Sequence, residues 1–354
     1  MGYNRSKYEK RDKRDKRTDA AKKDGSNNVK PEVQKKSNAF VCFLVDGSSE
    51  EKAFSSQFEE LFDMVGGDRI NVEFRQKSHD KQHEDAYADP KKKNQPNDGG
   101  DITAFMTKGV PAVQATPKNI AKLIYEYYFK RQDKASGLGW DDLTTIIHII
   151  DMDGAYVWDD RVHEFTSEEE AFADSLNGNN QNKKRNTLYL EDHIAVRAEE
   201  ESETDSKNVT ASSTGLEKLL KRNAQKRENI DYLLSLNGKL TVHRKTVNYY
   251  LYFFSSNLDH FLFDDANLPK KDKSRKADEF RTSNSDADAL CKFFDDSCFT
   301  ASRKLKGSGM DLDWKYKESW DEFRRGDGTA SLARWTNVDL LIEKIKNSTL
   351  EDWL

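Results

Sequence analysis

The sequence predicts an α/β fold in which a mainly parallel sheet is flanked by helices. Three segments, residues 39–45, 143–150 and 249–254, are dominated by apolar residues. Continuous apolar runs of this length are typical of strands covered on both faces, as the strands of parallel sheets are. Segments with the apolar spacing of amphipathic helices lie between and after them. Strands that alternate with helices along a chain predict such an α/β architecture.

Composition and charge divide the chain into an acidic body and a basic tail. Of the 354 residues, 34% are charged and 35% hydrophobic, a low hydrophobic share for one packed globule. Residues 1–37 hold 13 Lys and Arg against 6 Asp and Glu and show no apolar periodicity. We expect a disordered tail, for which solvation is favoured over contact with nucleic acid.

The same region bears on location. Its charged residues leave no apolar segment of the kind a signal peptide has, and no apolar run approaches the roughly 20 residues of a membrane span. We therefore expect a soluble, cytoplasmic protein that does not bind membranes.

The first elements are predicted by residues 39–74. The apolar run 39–45 is followed by Asp46, and Ser48 with Glu51 has the spacing of a capping box that opens a helix. Apolar side chains then recur at helical spacing until two glycines end the helix. Residues 70–74 alternate as a second strand.

The middle of the chain carries long interruptions. Residues 76–112 are polar and predict a loop, and Thr116 is expected to cap a helix before the strand at 143–150. A further excursion from the sheet then follows, and it includes a helix whose basic residues we expect to form a solvated face: Lys218, Lys221, Arg222, Lys226 and Arg227.

The predicted organisation has five parts. They are a disordered basic tail over 1–37, the first part of the core over 38–155, a partly helical insertion over 156–246, the last core strand and its motif over 247–265, and a helical C-terminal region over 266–354.

Acidic residues follow each of the three apolar strands. Asp46 follows the first, Asp151 and Asp153 follow the second, and Asp259 follows the third. Ligands of open parallel sheets bind at the carboxyl ends of the strands. Carboxylates gathered there repel one another unless a cation neutralises them, and oxygen ligands favour Mg²⁺ or Mn²⁺. For any single strand, an ordinary turn is the simpler interpretation, but three acidic ends together favour a metal site.

Three segments resemble the toprim domains of RloB-like and AbiL-type phage-defence proteins. Residues 43–54, with Asp46-Gly47-Ser48-Ser49-Glu50 between a strand and a helix, are similar to the first toprim motif, in which Glu occupies the place of Asp46. Asp151-Met152-Asp153 resembles the toprim Asp-x-Asp. Residues 253–260 are similar to the Ser-Asn block that follows, which adds these candidates: Ser256, Asn257, Asp259 and His260.

The resemblance implies a function. Asp151 and Asp153 would hold Mg²⁺ or Mn²⁺, Asp46 or Glu50 would act as a base or outer ligand, and the chain would cleave DNA, RNA or tRNA as the toxic effector of an antiviral abortive-infection system. Such proteins often work with an AAA or ABC-type ATPase. This chain has no GxxxxGK[ST] loop, so that ATPase would be a separate chain. The oligomeric state stays open.

Two other interpretations remain. Asp151 and Asp153 also resemble the haloacid-dehalogenase phosphatase motif, in which the first Asp is the nucleophile and the second a general acid and base. That interpretation leaves Asp46 and Glu50 without a role. Alternatively, a toprim-like scaffold could bind an ATPase without catalysis.

We expect no zinc site. The cysteines lack zinc-binding spacing, and the 7 histidines do not cluster in the sequence. His148 is expected to be a satisfied core residue, whereas His260 beside Asp259 is the histidine we consider for the site.

Overall fold

The computed structural model describes residues 39–76, 101–104, 114–130, 138–176, 185–198, 215–305 and 311–354. The tail predicted for 1–37 lies outside these residues. So do nearly all of the loop predicted for 76–112 and the acidic stretch before the long helix of the insertion. The described part is an α/β structure with a mixed sheet flanked by helices.

The first half of the chain supplies the centre of the sheet. Strand β1 (Ala39–Val45) leads through helix α1 (Ser48–Gly66) to strand β2 (Ile70–Gln76). Helix α2 (Ile120–Tyr128) then precedes strand β3 (Leu143–Asp151). These strands have the positions that their apolar runs predict.

The insertion and the C-terminal half follow. The insertion contains β4 (Val162–Glu164), α3 (Ser167–Ser175), β5 (Thr187–Tyr189), β6 (Ile194–Val196), α4 (Gly215–Ser235) and β7 (Lys239–Val242). The remainder contains β8 (Lys245–Phe254), α5 (Leu258–Phe263), α6 (Lys270–Ser283), α7 (Ala287–Asp296), α8 (Ala301–Lys304), α9 (Leu312–Arg325) and α10 (Val338–Lys346).

The main sheet has the strand order β2-β1-β3-β8-β7. Strands β2, β1, β3 and β8 are parallel, and β7 is antiparallel to β8. The prediction that β1 and β3 are interior and parallel is confirmed. The prediction that all of 156–246 leaves the sheet is wrong for β7, because a tight turn after Val242 returns the chain as a hairpin that pairs with β8. Strands β4, β6 and β5 form a separate small sheet.

Both faces of the main sheet are covered by aromatic side chains. On one face, helix α1 places Phe54 against Phe254, with ring centroids 5.9 Å apart, and Phe58 against Phe43 at 4.9 Å. On the other face, Phe253 meets Trp320 of α9 at 4.8 Å. Successive side chains of a strand point to opposite faces of the sheet. Neighbouring Phe253 and Phe254 are therefore buried in opposite layers of the core.

The C-terminal region covers the edge of β8 that β7 leaves unpaired. The Tyr316 hydroxyl accepts from the Leu251 amide at 3.2 Å and donates to the Leu251 carbonyl at 2.8 Å. The Phe253 amide donates to Asn337 Oδ1 at 2.9 Å, and the Ser255 amide donates to the Trp335 carbonyl at 2.9 Å. These bonds satisfy backbone groups that would otherwise be open at the edge, and they hold the end of β8 in place.

Two helix starts differ from the sequence prediction. Helix α1 begins at Ser48 without a side-chain cap, and Glu51 accepts from Gln76 Nε2 rather than completing a capping box. Helix α2 begins after Asn119, and Thr116 lies in the turn that precedes it. Among the described residues, the helices are all too short or too polar to cross a membrane.

Candidate metal centre

The carboxyl ends of β1 and β3 bring Asp46 and Asp151 into direct contact. The two strands are parallel neighbours, so the residues that follow them emerge at the same edge of the sheet. The Asp151 amide donates to Asp46 Oδ2 at 3.3 Å. Asp151 Oδ1 in turn accepts from the Leu258 amide, just beyond β8, at 2.8 Å. Three adjacent strand ends therefore converge at these two carboxylates.

Glu50 joins this cluster from the first turn of α1. It is 7% exposed, and its Oε2 is buried without a hydrogen-bond partner among the described residues. A side chain at Gly47 would place its Cβ 3.1 Å from that oxygen. Glycine between Asp46 and the helix thus lets the Glu50 carboxylate fold back towards the strand end.

Asp153 is held by a left-handed turn. It has a φ of 49°, and Gly154 after it has a φ of 73°. The Asp153 amide donates to the Ser256 carbonyl at 2.8 Å, which ties this turn to the end of β8. Its carboxylate lies 3.6 Å from Lys226 Nζ and remains half-buried, so solvent still reaches it.

Lys226 and Asp101 complete the cluster, and neither is among the site residues that the sequence predicts. Lys226 of α4 is 0% exposed, and its Nζ lies 2.5 Å from Asp101 Oδ2 and donates to the Asp151 carbonyl. Arg222, one turn earlier, donates to the Asp153 carbonyl at 2.9 Å. The prediction that these basic residues form a solvated face is wrong for both, because α4 packs against the acidic edge of the sheet.

Burial and mutual repulsion shift the titration of these acids. Burial raises the pKa of Asp46 well above its usual value, and the charge of Asp101 raises it further. Burial and the Glu50 charge likewise raise the pKa of Asp151, and burial raises the pKa of Glu50. Asp101 differs, because the Lys226 ammonium and bonds from Thr103 outweigh burial and lower its pKa.

Three of the four additional candidates, which follow the end of β8, differ in the contacts of their side chains. Ser256 Oγ is buried without a hydrogen-bond partner among the described residues. Asn257 caps α5, where its Oδ1 accepts from the His260 amide at 2.9 Å. Asp259 pairs with Lys273, and both lie near Glu50.

The fourth candidate, His260, interacts with charged residues other than those of the acidic cluster. Its Nε2 lies 3.9 Å from Asp264, and the other charges that act on it are those of Arg334 and Asp265. The charged groups that act on His260 thus lie outside the cluster that contains Asp46 and Asp151.

The donor set fits a hard divalent cation. Asp46 Oδ1 and Glu50 Oε2 are buried oxygens with no hydrogen-bond partner among the described residues. Leaving such anionic groups uncompensated is costly, and either a proton or a metal ion relieves the cost. Oxygen ligands favour Mg²⁺ or Mn²⁺ over softer metals.

Two histidines that lie far apart in the sequence meet in the structure. His163 and His193 meet at Glu169 in the small sheet, because β4 and β6 are neighbours despite their separation in sequence.

Comparison with family models, curated proteins and solved structures gave no match to this chain.

Proposed function

We propose that this protein is a Mg²⁺-dependent nuclease of the toprim type. The observation that best supports this proposal is the contact between Asp46 and Asp151. Beside it, Asp46 and Glu50 each have a buried oxygen without a hydrogen-bond partner among the described residues. The phosphatase interpretation gives Asp46 and Glu50 no task, whereas a metal-dependent phosphodiesterase uses the whole cluster.

Asp46, Glu50, Asp151 and Asp153 are the residues that would hold Mg²⁺ or Mn²⁺. The ion would supply a Lewis acid for a phosphoryl oxygen and would lower the pKa of a bound water. Asp46 or Glu50 would accept the proton of the attacking water.

Lys226 acts as a positioning residue in this proposal. Its ammonium group binds Asp101 and the Asp151 carbonyl and lies near Asp153. It therefore connects α4 to Asp101 and to the segment from Asp151 to Asp153. Its positive charge offsets part of the negative charge that the metal would otherwise balance alone.

The substrate and the biological role rest on the sequence resemblance. We propose DNA, RNA or tRNA as the substrate and a separate ATPase as the partner that restrains or triggers cleavage. Expression of the wild-type chain with the genes beside it is expected to lower phage yield, and Asp151→Asn should abolish that effect.

Cleavage by purified protein tests the enzymatic proposal. Wild-type protein with Mg²⁺ should cut total RNA or plasmid DNA, and chelation should stop it. Asp46→Asn and Asp151→Asn should each lower the rate at least about 100-fold, because both remove a charge next to the reacting groups. Asp63→Asn, which changes an exposed acid of the same helix as Glu50, is the matched control and should cut normally.

The alternatives give different results in the same assay. Turnover of a phosphomonoester that survives Asp46→Asn and disappears in Asp151→Asn would replace the nuclease proposal with a phosphatase. Absence of cleavage with and without the partner ATPase, in a protein that still binds that ATPase, would support a non-catalytic scaffold.

A further inference from the structure

A second group of side chains of the types that ligate metals lies at the small sheet and the helix beside it. His163 is in β4, His193 immediately precedes β6, and Glu169 is in the first turn of α3. One ligand atom from each lies within 4.8 Å of the others. These residues come from three elements of the insertion and share no residue with the acidic cluster at the main sheet.

The three side chains converge on one oxygen. His193 Nε2 lies 2.7 Å from Glu169 Oε1, and His163 Nε2 lies 3.9 Å from the same atom. The two imidazole rings are stacked, with centroids 4.6 Å apart and an interplanar angle of 25°. Both Nε2 atoms therefore point to the same side of the ring pair, where Glu169 supplies an anionic oxygen.

The opposite nitrogen of each ring has its own acceptor. His193 Nδ1 lies 2.6 Å from Asp192 Oδ1, and His163 Nδ1 lies 2.9 Å from the Glu164 carbonyl oxygen. With its proton on Nδ1, each ring satisfies this acceptor and can present the lone pair of Nε2 to a metal ion. Metal-binding histidines are oriented in this way by carboxylate and carbonyl partners.

Glu169 is oriented as well. Its Oε2 accepts from the Thr166 amide at 2.7 Å, and the Thr166 hydroxyl accepts from the Glu169 amide, which completes a capping box. This leaves Oε1 directed at the histidines. The side chain of His163 is 42% exposed, that of His193 is 24% exposed and that of Glu169 is 15% exposed. A dissolved ion can therefore reach them.

We propose that His163, Glu169 and His193 bind a divalent transition metal of the zinc class through Nε2, Oε1 and Nε2. Two imidazoles and one carboxylate form a donor set that zinc accepts, with water in the remaining position. Without metal, a proton on His193 Nε2 completes the hydrogen bond to Glu169 Oε1, and the ion takes the place of that proton. The ion would link β4, α3 and β6 and thereby brace the insertion.

Zinc titration of the full chain tests this site. The titration is done with a large excess of Mg²⁺, which competes for the acidic cluster, so the result does not depend on the proposed nuclease. Wild-type protein should bind one Zn²⁺ per chain, and Co²⁺ should give the visible absorption of a low-coordinate site. His163→Gln and His193→Gln should each lower the affinity at least about 100-fold.

Two further variants separate metal binding from general damage. Asp192→Asn keeps the ligands and removes an outer carboxylate, so it should weaken zinc binding about 10–100-fold. His243→Asn is the control, since His243 lies outside the cluster and Asn tolerates its φ of 48°. All variants keep the cysteines, so differences between them report on the histidines.

The outcomes are distinct. Unchanged Zn²⁺ affinity in folded His163→Gln and His193→Gln proteins, verified by circular dichroism, would overturn the proposal. Absence of Zn²⁺ binding to wild-type protein would also overturn it and would leave the cluster as a hydrogen-bonded ion pair. Loss of binding in both histidine variants, with retention in His243→Asn, would establish it.

Discussion

At the scale of single residues, Lys226 governs the charge balance of the acidic cluster. It is buried, its ammonium group pairs with Asp101 and lies near Asp153, and these charges raise its own pKa despite burial. A buried cation in such a position compensates for carboxylates that cannot reach water. Its removal leaves those carboxylates without their cation, which costs more than the loss of a surface ion pair.

We predict that Lys226→Met lowers the free energy of unfolding by about 3–5 kcal/mol, as removal of one partner from a buried ion pair does. Chemical denaturation measures the effect, and added Mg²⁺ should restore part of it by neutralising the acids. Lys221→Met, an exposed substitution in the same helix, should change stability little. Equal losses in the two variants would show that Lys226 has no special role.

The raised pKa values of Asp46 and Asp151 make the stability of the protein dependent on pH. The folded protein retains protons that the unfolded chain releases. This contribution to stability is fully present below the pKa of the unfolded carboxyls, near 4, and is lost as the pH rises through their raised folded values. Mg²⁺ competes with those protons, so its stabilising effect should grow with pH.

We therefore predict that Mg²⁺ raises the melting temperature more at about pH 8 than at about pH 5.5. Melting curves recorded with and without Mg²⁺ at both pH values measure this difference. Asp46→Asn should show a smaller increment at the higher pH. An increment that is the same at both pH values in wild-type protein would contradict the metal assignment.

At the scale of elements, the turn after β3 positions Asp153 and joins the two sheets. Gly154 has a φ of 73°, and a Cβ there would lie 2.1 Å from Ile194 Cδ1 of β6. The close approach and the left-handed backbone both require glycine. The same short turn thus aims an acidic side chain at the cluster and packs against the small sheet.

We predict that Gly154→Ala destabilises the protein by at least about 1–2 kcal/mol, the cost of the left-handed conformation for a residue with a Cβ. It should also weaken Mg²⁺ binding, because Asp153 moves with the turn. Gly139→Ala is the control, since open space surrounds that position and its backbone is unstrained. Urea denaturation compares the two, and equal midpoints would refute the prediction.

At the scale of the whole molecule, the C-terminal region belongs to the same core as the sheet. Trp353 is 0% exposed and meets Phe62 of α1 at 4.8 Å, and its carbonyl accepts from Thr145 of β3 at 3.3 Å. Together with the bonds from Tyr316 and Asn337 to β8, this contact packs the C-terminal region against the sheet. The helical C-terminal region predicted over 266–354 thus contributes to the core of the fold that holds the acidic cluster.

We predict that Trp353→Ala lowers stability by about 3–5 kcal/mol, as large-to-small substitutions in cores do. Leu354→Ala, at the adjacent position that is 46% exposed, should have little effect. Thermal or chemical denaturation compares them. A small loss in Trp353→Ala would mean that the C-terminus contributes little to the core.

The sequence by itself determined the four parallel strands of the main sheet and the acidic residues that follow three of them. Apolar runs define β1 and β3 because a strand covered on both faces must be apolar along its length. Since parallel strands share a carboxyl edge, the approach of Asp46 to Asp151 followed from the order of these runs. The prediction of helix caps from local sequence was less reliable. Ser48 has the spacing of a capping residue, yet the helix begins without a side-chain cap.

Only the tertiary structure decided which distant residues join these acids. Lys226 lies in a helix whose basic residues resemble a solvated face in sequence, yet the fold buries it against Asp101 and Asp151. His163 and His193 meet because β4 and β6 pair across a long stretch of chain. Periodicity reports how one segment divides between core and solvent, whereas contacts between segments depend on packing, which no local pattern encodes.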